Sequence, residues 1–88
     1  MYFVYILQSL KTKKFYIGQC DHLIERFNEH QKGYTPSTRN RGPWWMPYYE
    51  VYSTRKDAVT RERQIKSKKS SKSIRAIIQH NTPEIELL

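Results

Sequence analysis

Two runs of aromatic, aliphatic and β-branched residues stand close together at the start of the chain, and their spacing constrains the fold more than any other feature. Residues 2–7 read as a buried strand and residues 15–19 as a second one. The polar, lysine-rich stretch 9–14 between them is long enough for a turn and too short for a helix. Two strands joined so closely can only run antiparallel, as a hairpin.

The rest of the chain alternates helical and extended signals. Asp21 is placed to cap a helix running to about residue 32, with Leu23, Ile24 and Phe27 as its apolar stripe and Gly33 as its terminator. Residues 34–47 contain Pro36, Pro43 and Pro47 and read as a long loop, followed by a third strand over 48–52. Thr54 opens a second helix to about residue 66, with Asp57 three residues on in a variant of the capping box. A last helix spans roughly 73–80 on the stripe Ile74, Ile77 and Ile78. The order ββαβαα predicts an α+β domain: a small three-stranded, mainly antiparallel sheet flanked by three helices. With 88 residues, a single domain over 1–82 and a short tail over 83–88 are expected. A core this thin makes each buried polar group informative.

Charge narrows the choice of partner. The chain carries 16 basic and 8 acidic residues, a net charge of +8, which favours a polyanion and nucleic acid above all. Nine of the cations lie within residues 55–75, including Arg61, Arg63, Lys66 and Lys69, and only Asp57 and Glu62 oppose them there. Such clustering suits contacts to a phosphate backbone; a solvated helix face is the alternative. In the long loop, Trp44 and Trp45 are flanked by Arg39 and Arg41. Either indole can stack on an unpaired base or pack over the sheet, and packing is expected for at least one. Cys20 is the sole cysteine, so no disulfide framework and no cysteine-rich zinc site exist, and a reducing cytoplasm is the expected compartment. No apolar run approaches the roughly 20 residues that span a bilayer, and the N-terminus lacks the pattern of a secretory leader, so no membrane partner is expected.

Glu62 is the residue most out of place. At about 100° per residue, Ala58, Val59 and Ile65 mark an apolar arc and Glu62 falls in its middle. A glutamate there is either paired, with Arg61, Arg26 or a tyrosine hydroxyl, or bound to a metal. Carboxylate clusters are absent, which argues against a two-metal site, but one carboxylate suffices for a Mg²⁺ that keeps most of its waters. On the first helix, Arg26 and His30 are four residues apart beside the apolar stripe. Arg26 can grip a phosphate or pair weakly with Glu29; His30 can relay a proton or be structural.

The motifs in their order resemble the GIY-YIG nucleases. Val4-Tyr5-Ile6 and Tyr16-Ile17-Gly18, on the two strands of the hairpin, resemble the paired motifs that name the family. Residues 21–30 resemble its following helix, with Arg26 and His30; Gly33-Tyr34-Thr35 resembles the next segment; Arg61-Glu62 with Ile65-Lys66 resembles the helix bearing the metal-binding glutamate. The match covers roughly residues 2–80 and is similar to the small stand-alone bacterial group related to the N-terminal nuclease domain of the excinuclease C subunit. Val4 replaces the first glycine, and Gln19-Cys20 stand where some relatives have a lysine. Asn81, on the Ile74/Ile78 face, corresponds best to the family's late polar residue.

The resemblance implies an endonuclease that hydrolyses phosphodiester bonds in DNA with one divalent ion, Mg²⁺ or Mn²⁺, held by Glu62. It implies that Arg26 neutralises charge on the phosphoryl group, that Tyr5 or Tyr16 orients or deprotonates the attacking water, and that His30 assists. DNA is the expected partner, single-stranded or structured DNA included, and a monomer the expected state. A nucleic-acid-binding module that cuts weakly or not at all is the runner-up, and a protein-interaction domain the third reading.

Overall fold

The structure, a computed structural model, describes residues 1–81, the last of them by its backbone alone. Strands β1 (Tyr2–Ser9), β2 (Phe15–Cys20) and β3 (Trp44–Tyr52) and helices α1 (Leu23–Gln31), α2 (Arg55–Lys66) and α3 (Ser71–Asn81) follow in the order ββαβαα. The sheet order is β2-β1-β3, with both neighbours antiparallel to β1. The predicted fold class therefore holds. The Asn81 side chain and the tail expected over 83–88 lie outside the described residues.

A central strand is covered on both faces, which explains why Val4, Tyr5, Ile6 and Leu7 are all buried in succession. Alternation splits them between two cores. Val4 and Ile6 join Ile17, Ala58, Ile65 and Ile74 under α2 and α3. Tyr5 and Leu7 join Cys20 and Trp44 on the other face, where Leu23 and Phe27 of α1 pack.

Three expectations at the level of local structure are corrected. First, α1 begins at Leu23 with His22 in the cap position and no side-chain cap bond. Asp21 instead lies 3.4 Å from both His22 Nδ1 and an Arg55 nitrogen. Second, β3 starts at Trp44 rather than Tyr48. Proline removes a ladder donor, but β3 is an edge strand and Pro47 falls where the register shifts opposite Ile6–Gln8, so the strand tolerates it. Third, α3 starts two residues earlier than predicted, at Ser71.

The other end signals behave as read. Gly33 takes φ +77, and the amides of Gly33 and Tyr34 donate to the carbonyls of His30 and Glu29, a Schellman closure of α1. Thr54 caps α2 by accepting from the Asp57 amide at 3.2 Å.

Candidate active site

The site is built outward from Tyr5, in the middle of β1 and 1% exposed. Its cross-strand neighbour on β2 is Gly18, and the ring lies against that glycine. A Cβ at Gly18 would stand 2.5 Å from the Tyr5 hydroxyl and 3.2 Å from Cε2 of Tyr16. The hydroxyl cannot swing away, because it is buried and bonded to Nε2 of His30 at 2.8 Å. Gly18→Ala is therefore expected to destabilise the fold by about 1–3 kcal/mol through overpacking. Thermal unfolding would read this as a fall of several degrees; an unchanged midpoint would show that the ring has room to move.

His30 is 1% exposed and links the loop between α1 and β3 to the sheet. Its Nδ1 lies 2.8 Å from Oγ1 of Thr38, whose hydroxyl donates to the Thr35 carbonyl at 3.3 Å. With the threonine proton so committed, Thr38 accepts from His30 Nδ1–H, and Nε2 is left to accept from the Tyr5 hydroxyl. Burial, then the nearby Arg26 cation, lower the His30 pKa, so the imidazole is neutral at neutral pH. Burial likewise raises Tyr5 well above the usual phenol range, with Tyr16, Cys20 and Glu62 adding to the rise and Arg26 opposing it. The resting state is a neutral phenol donating to a neutral imidazole. Thr38, the third member of this chain, carries no signal in the sequence.

Tyr16, from β2, is half-buried; its ring centroid lies 5.0 Å from that of His30 and 6.4 Å from that of Tyr5. It is the member of the aromatic cluster that retains contact with solvent. Arg26 is exposed on α1, pairs with Glu29 at 3.3 Å, and bears electrostatically on Tyr5, Cys20 and His30. Glu62 comes from α2, the layer on the opposite face of the sheet from Tyr5, yet its carboxylate also bears on the Tyr5 phenol. Its side chain is 18% exposed, and its ion-pair partner is Lys66 at 3.1 Å, rather than Arg26 or Arg61.

The donor chemistry can be tested against a divalent ion. Among the described residues no three His, Cys, Asp or Glu side chains come together to hold a metal. A closed protein cage is thus absent from this part of the chain. A single half-buried carboxylate fits a hard ion that keeps its waters and takes further oxygens from a phosphate.

The residues expected to bind nucleic acid separate into two groups. Arg39, Arg41, Arg63, Lys66 and Lys69 are exposed. Arg39 donates from Nε to the Gly33 carbonyl, and Tyr34 is 68% exposed beneath the Lys32 ammonium. Trp44 is 4% exposed, with its indole N–H directed to the Thr38 carbonyl, which corrects the expectation that it stacks on bases. Neighbouring strand residues face opposite ways, and Trp45, 46% exposed, is the outward one. Arg61 is also corrected: it is held by Glu50 at 2.9 and 3.1 Å and belongs to the packing of α2 on β3.

The fold agrees with the comparisons. The model of the GIY-YIG catalytic domain matches residues 1–75. A UPF0213 protein of Clostridium perfringens is 36% identical over 67 residues, covering 75% of this chain and 71% of that protein. The solution NMR structure of a UPF0213 protein from Bacillus halodurans superposes with a TM-score of 0.61 at 24% identity, covering 98% of this chain and 92% of that one, and so shares the fold.

Proposed function

The chain belongs to the GIY-YIG family, and from that premise we propose that it is a metal-dependent endonuclease that hydrolyses phosphodiester bonds in DNA. The observation that carries the reading is the cluster of Tyr5, Tyr16 and His30, tied together by the 2.8 Å bond from the Tyr5 hydroxyl to His30 Nε2, on the hairpin and helix that the family model covers.

Each group then has a task. Glu62 holds a single Mg²⁺ or Mn²⁺, which when bound supplies Lewis-acid polarisation of the phosphate. Arg26, exposed and paired with Glu29, binds the phosphoryl oxygens and neutralises the charge that grows on them. Tyr16, at the surface of the aromatic cluster, orients the attacking water. Tyr5 is too deeply buried to touch that water and acts through the chain Tyr5–His30–Thr38. That chain holds the cluster in place, with Nε2 of His30 ready to accept the phenol proton. Exposed Arg39, Arg41, Arg63 and Lys69 engage the phosphate backbone, and Trp45, the exposed one of the two indoles, stacks on unpaired bases. The chain acts as a monomer in the cytoplasm, in keeping with its lone buried thiol.

One observation favours the second reading, a binding module that cuts weakly: Glu62 already has a cation, Lys66, at 3.1 Å. Supercoiled, linear and single-stranded DNA incubated with Mg²⁺, Mn²⁺ or EDTA separates the two. Nicking that appears with the metal and vanishes in EDTA is expected. Salt-sensitive binding with no nicking in either metal would leave only the binding module.

A further inference from the structure

Lys66, the ion-pair partner of Glu62, also lines a cavity. At the junction of α2 and α3, a cleft of about 330 Å³ is lined by Lys14, Lys66, Lys69, Ser70 and Ser71. Its floor is apolar, from Phe15 and Ile74. Three lysines and two serines line one space, and no Asp or Glu among the described residues lines it. Neither Lys14 nor Lys69 has an acidic partner among the described residues, and Lys66 has Glu62 alone. Like charges gathered without a counter-ion repel one another, and an anion entering the cleft relieves this. Lys69 takes φ +55, a left-handed conformation that favours glycine, so the junction holds a lysine where backbone strain alone would select against one.

We propose that this cleft seats a backbone phosphate of the bound nucleic-acid strand, and that Lys66, shared between the cleft and Glu62, couples its filling to release of that carboxylate. The ammonium of Lys66 has three donors on a flexible stem. With the cleft empty it neutralises Glu62. A phosphate between Lys14 and Lys69 competes for the same ammonium. As Lys66 turns to it, Glu62 loses its monovalent partner and becomes available to a divalent one. Cation binding at Glu62 thus depends on a strand lying across α2 and α3. The inference rests on the nuclease reading for the identity of strand and cation, and its test needs no cleavage.

The full chain is compared with Lys66→Gln and with the pair Lys14→Gln/Lys69→Gln, all exposed positions whose folding circular dichroism confirms. Binding of a short fluorescent single-stranded DNA in EDTA is followed by anisotropy across a salt series. Binding of Mn²⁺ is followed by electron paramagnetic resonance of the free ion, with and without that DNA. The Lys14/Lys69 variant is expected to lower the slope of log affinity against log salt by about 0.7 for one lost phosphate contact. Lys66→Gln is expected to tighten Mn²⁺ binding to the DNA-free protein by roughly two- to fivefold, the worth of a half-exposed ion pair. DNA should then tighten Mn²⁺ binding by a larger factor in the wild type than in Lys66→Gln. An unchanged salt slope would overturn the phosphate seat. Equal Mn²⁺ affinity of wild type and Lys66→Gln without DNA, or no Mn²⁺ binding by either, would overturn the coupling. Failure of the wild type to nick plasmid while these shifts appear would strike the nuclease reading alone.

Discussion

Replacing Glu62 with alanine is expected to give a folded protein whose metal-dependent nicking falls by about 10²–10³-fold or more, the scale on which loss of one charge-stabilising group acts. The stability side of this prediction carries as much weight as the activity side. Glu62 lies on the stripe that includes Ala58 and Ile65, both 0% exposed, and its only ion pair among the described residues is a helical i,i+4 contact to Lys66. Such pairs contribute about 0.3–0.5 kcal/mol. Alanine is the better helix former, and it removes a half-buried carboxylate from an apolar stripe. The variant should therefore unfold at the same temperature as the wild type or slightly above it. A residue whose removal ends activity and leaves stability level or improved is one retained for chemistry. Plasmid nicking in Mn²⁺ and thermal unfolding, measured on the same preparation, test both halves. Wild-type cleavage by Glu62→Ala would remove the carboxylate from the mechanism.

The anomaly of Glu62 was visible in the sequence because helical periodicity is a property of one element. What periodicity cannot supply is the layer against which a face packs. The sequence put Glu62 on the apolar arc of α2 without saying which face of the sheet that arc covers; the structure puts α2 on the Val4–Ile6 side and leaves Tyr5 and Tyr16 to α1. The hairpin was legible for the same local reason: β-branched and aromatic runs flank a short polar turn. The start of β3 was not, because Pro43 and Pro47 signal a loop unless the strand is known to lie at an edge. Trp44 and Trp45 show the limit of alternation. Adjacent strand positions must point to opposite faces, but only the assembled sheet says which face is covered. Thr38 was out of reach altogether, since it meets His30 through a loop with no period of its own.

The second large effect concerns Glu50, which nothing in the sequence marked. Its carboxylate on β3 accepts from the hydroxyls of Tyr48 and Tyr52 and from Nε and an Nη of Arg61 on α2. Glu50 and Arg61 are 16% and 27% exposed at the side chain, so the pair is largely desolvated. Burial alone would raise the Glu50 carboxyl, but the bonds from Arg61, Tyr48 and Tyr52 outweigh it and hold the pKa below its usual value of 4.5. The same contacts, with burial first, push both phenols up to about 12. Glu50→Gln keeps the shape and one acceptor but leaves Arg61 without its counter-charge. Breaking a fully buried pair costs about 3–5 kcal/mol, and here, with some water left, about 2–3 kcal/mol is expected. For a domain of this size the unfolding midpoint should fall by on the order of 10–20 °C at neutral pH.

The pH dependence follows from the depressed pKa of Glu50. A carboxyl whose folded pKa lies below its unfolded value contributes its full stabilisation above the unfolded value and loses it as the pH falls through the folded one. The gap between wild type and Glu50→Gln should therefore be widest above about pH 5 and close progressively below 4.5, the reference value. Equal midpoints at pH 7 would show that Arg61 is served as well by water. The consequence reaches the proposed active site, because Arg61 and Glu62 are consecutive on α2. The bonds from Glu50 fix how that helix rests on the sheet, and with it where the neighbouring carboxylate is presented. Glu50→Gln is accordingly expected to lower nicking activity even at temperatures where the variant remains folded, by misplacing Glu62 rather than by removing it. Raised Mn²⁺ concentration should recover part of that loss, whereas it should recover none in Glu62→Ala.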